Sequence, residues 1–537
     1  MSIVSGAPLQ VKTKIKRAIP FWLGFILGFW FITLNITGHS FAFYPGDLGD
    51  ARFNNYILEH DYRFFIRQDD SFWNAPFMYP ESSVVTLSDN LVGTAPLYGI
   101  FRILGMDRET AFQGWYIILV FLNYSCCYCF LVKLFGNRYS AVLGAMIFAF
   151  SMALQSQLTH AQTFARFPVP LTFLAAMLFI KELKPKYFFL TILILVYQLY
   201  CGIYLGLMLS VPVTILLISC FIYRKDIFFR RVRSINWIIK ISVALALNAA
   251  LALIIMLPYY IRSKGLGYYG YEETLHSIPT VKSFLYSKPG TVIWKFLQNL
   301  CDNYQQPWDH QLFPGGVAIL CFIISMALPI YYFLAKKKPF LQSELPLLIL
   351  LITALMTFLG FLRIQTFSLY KFVSILPGFG SMRAIHRIIN IHLLFFAIAV
   401  AFTFSLILKK MKRGELLLFL AAALIIIADN YYPEGASYTT LKRTSQERVN
   451  RLVQEMSAIP KGSIISCETD KQQPDMIACQ LDVMLAAQTL GLKCINGYSG
   501  YSPHGYSDFW TNMNAAAREK WIAYKNLNPD LVRVVKY

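Results

Sequence analysis

Two carboxylates, Asp47 and Asp50, stand on a glycine-punctuated turn in the stretch FYPGDLGDARFNNYILEHDYRFF. Carboxylates placed this way can do two kinds of work. An aspartate at the start of a helix accepts hydrogen bonds from free backbone amides and suits the positive end of the helix dipole. That reading is sufficient for Asp50, but a cap needs one acid only, which leaves Asp47 to be explained. As a pair beside a membrane surface they can act as a general base on a sugar hydroxyl, or help hold a divalent cation such as Mg or Mn.

Basic groups gather in a second stretch, LYKFVSILPGFGSMRAIHRIIN, which carries Lys371, Arg383, His386 and Arg387. On a helix, the i, i+3, i+4 spacing of Arg383, His386 and Arg387 turns all three one way. A guanidinium donates in parallel to two oxygens of a phosphate, so a lipid-linked phosphate suits the cluster, as do ordinary phospholipid headgroups. His160 and Arg166, in SQLTHAQTFARFPVP, are candidate further donors, with Arg166 equally readable as a helix-end residue reaching for water. GYYGYEETLHSIP and DNYQQPWDHQLFPGG add Glu272 and His310 among aromatic residues. Such a surface fits a sugar, and it also fits an ordinary aromatic belt at a membrane interface.

The elements that must position these groups are helices in a bilayer. The 537 residues are 56% apolar and 15% charged, and the mean hydropathy is +0.49, which leaves too little polar surface to cover a soluble globule. About eleven apolar stretches between Ile19 and Ala428 approach the roughly 20 residues a spanning helix needs. The net charge of +20 is spread over short clusters between those stretches, the signature of cytoplasmic loops rather than of a nucleic-acid surface. Lys133 with Arg138, Lys181 to Lys186, Arg224 to Arg233, Lys336 to Lys338, and Lys409 to Arg413 fall on alternate loops. This parity predicts a multi-pass cell (inner) membrane protein with a cytoplasmic N-terminus and an extracytoplasmic C-terminus. The transmembrane region is expected over 1–430 with outer loops 38–112, 259–315 and 362–388, all the candidate residues lying on the outer side. Within the first loop, Asn90 to Leu104 is expected as an interfacial or re-entrant helix, and the helix carrying His60 as one lying along the interface. Residues 431–537 change to mixed composition and predict a small extracytoplasmic α/β domain, with a strand near Gly462 to Ser466 and a helix Leu481 to Leu490 ended by Gly491. Its cysteines, Cys467, Cys479 and Cys494, allow one disulfide in an oxidising compartment.

The sequence holds no Walker phosphate loop, no GxSxG elbow and no HExxH. The acidic GDLGD after the first span, the interfacial helix following it, HQLFPGG, the basic PGFGSMRAIHR region and the terminal domain resemble the GT-C superfamily of integral membrane glycosyltransferases. Bacterial membrane proteins of the YfhO type, themselves GT-C-like, are also similar. The resemblance implies an inverting glycosyltransferase that takes a sugar from a polyprenyl-phosphate donor to an envelope glycan, lipid or protein, as in cell-envelope polysaccharide assembly. It carries a catalytic or metal-binding role to Asp47 or Asp50 and, more weakly, phosphate recognition to Arg383 and Arg387. The GDxGD spacing departs from the adjacent or DxD-spaced acids of that superfamily. Two other classes compete, a non-enzymatic lipid or glycan transporter and a membrane scaffold. A transporter would carry charges near the midplane of several spans, whereas here the charged groups gather at one surface.

Overall fold

Hydrocarbon offers no partner to a backbone amide, so each apolar stretch satisfies its own hydrogen bonds by coiling. In the computed structural model, which describes residues 7–267, 269–334, 345–411, 413–436, 438–469 and 475–537, every one of these stretches is helical. Among the described residues six helices are long and apolar enough to cross a membrane: Ala18–Thr37, Arg108–Phe135, Arg138–Gln157, Ala161–Glu182, Ile235–Leu266 and Ile385–Lys410. The pair Ile203–Ser219 and Phe221–Val232, bent by 66°, makes a seventh if taken as one span. The other apolar helices are shorter. Glu415–Asp429, with 15 residues, rises only about 22 Å against a hydrocarbon core of about 30 Å. The expected cluster Lys336 to Lys338 lies outside the described residues.

Burial sorts the helices into layers. Arg138–Gln157 and Ile385–Lys410 are 94% and 83% buried and form the centre, while Ile235–Leu266 is 17% buried and presents its apolar side chains outward. The two central helices meet at Gly144, where a Cβ would lie 2.5 Å from the carbonyl oxygen of Ala397 and 2.6 Å from Leu131. A side chain there cannot be accommodated by a rotamer change, because the nearest obstacle is backbone.

The segment after the first span is tied down at both ends. Strand Phe43–Pro45 pairs antiparallel with Thr439–Leu441, Tyr44 facing Thr440. The helix Asp50–Phe65 follows, buried along Ala51 to Asp61. His60 is not solvated as expected but wholly buried, its ring nitrogens 2.8 Å from Asp69 and 3.0 Å from the Phe72 carbonyl, because the chain that follows the helix folds back over it. The 9-residue helix Ala95–Ile103 is far too short to span and exposes Ile103 and Leu104.

The C-terminal region is built on a parallel sheet, Ile464–Glu468 flanked by Lys493–Cys494 and Val532–Lys536. The buried helix Met476–Leu490 ends at Gly491 with φ 67°, the left-handed stop that a glycine allows. Cys467, Cys479 and Cys494 are buried free thiols. Arg52 and Asp482, exposed by 1% and 0%, pair at 2.6 Å across the seam between the Asp50–Phe65 helix and this region. Arg448 and the Tyr537 hydroxyl also reach Asp482, at 2.8 and 2.6 Å. Gly144→Val is expected to abolish the monodisperse detergent-solubilised protein in size-exclusion chromatography, whereas Gly136→Ala, at an open helix end, leaves it extractable.

Candidate active site

Asp47 and Asp50 divide the work that the sequence left undivided. One Asp47 oxygen accepts from the backbone amides of Gly49 and Ala51, each at 3.2 Å, so Asp47 secures the first turn of the helix. Asp50 instead faces a cavity of about 640 Å³. The expectation that Asp50 caps the helix is reversed because the chain turns at Gly49, which brings the earlier acid over the free amides.

Asp50 spends both carboxylate oxygens on side chains from distant segments. Oδ1 accepts from the Tyr498 hydroxyl, and Oδ2 lies 3.2 Å from His160 Nδ1. The same Nδ1 is 3.2 Å from Arg387 Nη2. An imidazole nitrogen either carries the proton or accepts one, so His160 serves Asp50 or Arg387 but not both at once. The Arg387 guanidinium stands 4.9 Å over the Tyr204 ring, and Tyr204 accepts from the Arg383 amide at 2.9 Å. Asn54 joins the wall by donating to Gln162 at 3.0 Å and to the Asp50 carbonyl at 2.7 Å. Asp89, also in the wall, accepts from the amides of Ile203 and Tyr204 at 2.5 and 3.4 Å, at the start of the helix Ile203–Val232.

The electrostatics follow from burial and these partners. Burial would raise the Asp50 carboxyl, but the hydrogen bond and charge of His160, the Tyr498 bond and the Arg387 charge outweigh it and hold it down to about 2. Burial, then the Arg387 charge, lower His160 to about 4. Near neutrality His160 is uncharged, and Arg387 is the positive group that balances Asp50. Burial, then the charge of Asp50, push Asp47 up to about 6. Asp89 is likewise raised by burial, against the pull of Arg387.

Of the residues singled out in the sequence, Asp50, Arg383 and Arg387 line the cavity, and His160 joins them through Asp50 and Arg387. His386 does not share their side: Ile385–Ile388 is a 3₁₀ turn rather than an α-helix, and His386 turns to Asp309 at 3.3 Å. Burial would raise the Asp309 carboxyl, but the charge and hydrogen bond of His386, with the charges of His160 and Arg387, together outweigh it and hold it down to about 2. The other four lie elsewhere. His310 is bonded to the Ser283 hydroxyl at 2.7 Å and the His276 carbonyl at 2.8 Å. Arg166 is buried beside the Phe148 ring and donates to the Thr163 carbonyl at 3.2 Å. Lys371 sits 5.9 Å from the Tyr271 ring, and Glu272 is exposed. Tyr498, Tyr204 and Asp89 escaped the sequence reading. GYSGYSP, with its aromatic residues between glycines, was the one trace of Tyr498; nothing marks Asp89 in TLSDN.

A divalent cation at Asp47 and Asp50 would find few side-chain ligands beside them. Among the described residues no three His, Cys, Asp or Glu side chains gather as ligands, Asp47 is turned to backbone amides, and the cation against the Asp50–His160 pair is a guanidinium.

No family model matches the chain, and no curated protein matches it either. Its structure is similar to the oligosaccharyltransferase of Archaeoglobus fulgidus in complex with Zn and sulfate. That superposition has a TM-score of 0.50 at 14% identity, covering 96% of this chain and 67% of that chain. The likeness is one of fold. The complex of AglB from the same organism with an inhibitory peptide and a dolichol-phosphate gives a TM-score of 0.46 at 14% identity, covering 98% of this chain and 69% of that one. The apo form gives 0.48 at 12%, covering 90% and 64%. The chain thus spans about two thirds of the length of these proteins.

The two aspartates are separable by experiment. Asp47 is raised from 3.8 to about 6, so its contribution to stability is fully present below the ordinary carboxylate value and is lost as pH rises through about 6. Asp47→Asn keeps an oxygen for the two amides without the charge, and its thermal midpoint relative to wild type is expected to rise as pH goes from about 4 to 6, the window in which Asp47 alone loses stability. Asp47→Ala loses both bonds and costs about 1 kcal/mol. Thermal unfolding in detergent across that pH series checks both.

Proposed function

We propose that the chain is a membrane glycosyltransferase that moves a sugar from a polyprenyl-phosphate donor to a hydroxyl of an envelope glycan, lipid or protein on the extracytoplasmic side. The observation that carries this reading is one ionised carboxylate, Asp50, sharing a cavity with two guanidiniums, Arg383 and Arg387. A base and a phosphate site on the walls of one space are what a sugar transfer from a phosphate needs. Beyond them the cavity is lined by Leu207, Met256, Leu266, Ile375, Leu376 and Pro377, an apolar end suited to the first isoprene units of the carrier.

In the proposed step the acceptor oxygen attacks the anomeric carbon as its proton passes to Asp50. The bond from that carbon to the phosphate oxygen breaks, and its electron pair leaves with the polyprenyl phosphate. A single displacement inverts the anomeric centre. Arg383 and Arg387 offset the charge that develops on the leaving phosphate, an effect enlarged where water is excluded. Asp47 holds the turn that presents Asp50, and no step is assigned to a metal ion. The alternating basic loops support a cytoplasmic N-terminus, which puts this cavity and the C-terminal region outside and makes a nucleotide-sugar donor unnecessary.

Asp50→Asn preserves size and hydrogen bonding but not basicity, and is expected to reduce transfer by roughly 10²–10⁴-fold. Arg387→Ala is expected to lower transfer while leaving the expression level intact. Glycan mass profiling of envelope polymers, lipids and proteins, from cells with the wild type, no chain or these variants at matched levels, identifies the product. A profile that is the same with and without Asp50 would sink the proposal.

A further inference from the structure

The base is already engaged in this structure. A general base must place a carboxylate oxygen within hydrogen-bond reach of the acceptor hydroxyl, and here Oδ1 of Asp50 accepts from the Tyr498 phenol while His160 lies 3.2 Å from Oδ2. The two partners differ in standing. His160 belongs to the transmembrane half and is held against Arg387. Tyr498 enters from the C-terminal region on the segment 496–505, part of which forms the cavity wall. Tyr498, Gly500 and Tyr501 line the cavity, the Tyr501 hydroxyl donates to the Ser381 carbonyl at 2.8 Å, and His504 Nε2 reaches the Gly265 carbonyl at 2.6 Å. The Tyr498 ring rests against Phe53 and Trp510, each at 5.6 Å between centroids. A hydroxyl donating to the base, carried on an aromatic ring over the cavity, is the geometry an acceptor hydroxyl would adopt.

We infer that Tyr498 is a specificity-determining residue that keeps the acceptor's place on Asp50, leaving the carboxylate only when a hydroxyl-bearing acceptor displaces it and so denying that place to water. This rests on the reading of Asp50 as the base. Water differs from a glycan in having no ring surface and few groups with which to offset the loss of the phenol bond. Without such a guard, the donor would be spent: a water proton would pass to Asp50, the water oxygen would bond to the anomeric carbon, and the sugar would leave as free hexose with polyprenyl phosphate. Asp50 is faced by Tyr498, His160, Arg387, Arg383 and Asp47, and exchanging the phenol for an alcohol, a poorer hydrogen-bond donor, lets its carboxyl rise from about 2.

Two readouts on purified full-length wild type, Tyr498→Phe, Asp50→Asn and the double variant test this. The first is labelling of Asp50 by a water-soluble carbodiimide over a pH series, read by peptide mass spectrometry. Tyr498→Phe is expected to extend labelling to higher pH and raise its rate roughly tenfold, the factor carried by one hydrogen bond to a charged group. The second is release of free sugar from a short-chain polyprenyl-phosphate hexose with a labelled sugar and no acceptor. Tyr498→Phe is expected to release it roughly tenfold faster than wild type, and the double variant no faster than Asp50→Asn. Labelling and release both unchanged in Tyr498→Phe, with Asp50→Asn inactive, overturn the inference and leave the base reading standing. Slower release in Tyr498→Phe also overturns it, by making Tyr498 a residue that positions Asp50. Release that is indifferent to Asp50→Asn removes the base reading, and this inference with it.

Discussion

A carboxylate that keeps its charge away from bulk water must be repaid by partners already in place, because the desolvation penalty exceeds what any one hydrogen bond returns. Asp50 meets this condition with a guanidinium nearby, an imidazole on one oxygen and a phenol on the other. Each comes from a different part of the chain, so the folded state of one acidic side chain depends on the loop before the helix Ala161–Glu182, the first turn of Ile385–Lys410 and the C-terminal region arriving together.

The rest of the architecture holds these arrivals in register. Two residues after Asp50, Arg52 enters a wholly buried pair with Asp482, which fixes how the first turn of the helix sits against the C-terminal helix Met476–Leu490. Burial of such a pair is a weak source of stability, since replacing both partners by apolar groups is often neutral, but breaking one side is costly. Its value here is positional: it admits one seating of the Asp50–Phe65 helix. Gly144 plays the corresponding part in the centre of the bundle, where the close approach of two helices leaves no room to slide.

The helices were legible because a spanning segment is a local property, an apolar length readable without knowledge of its neighbours. So were Asp50, His160 and Arg387, because loop parity in the basic clusters placed all three on one side. The roles of Asp47 and Asp50 were not legible, since which acid meets the free amides depends on the turn at Gly49 and not on composition. The shared face of Arg383, His386 and Arg387 assumed an α-helix, and the 3₁₀ turn at Ile385–Ile388 sends His386 to Asp309 instead. Tyr498 reaches Asp50 across 448 positions of sequence, a contact for which one chain offers no local pattern. The buried setting of His60 was hidden for a different reason: Asp69 and the Phe72 carbonyl meet its ring only once the chain after the helix folds back.

The pairing of Phe43–Pro45 with Thr439–Leu441 has a consequence in time. A ribosome delivers the first strand long before its partner, and the transmembrane helices between them, being local in their contacts, form during that wait. The strand that leads into Asp50 therefore stays unpaired until nearly the whole chain has been made and inserted. Assembly of the cavity around Asp50 thus comes late in biosynthesis, and a nascent or truncated chain in the membrane has its helices but not the completed cavity.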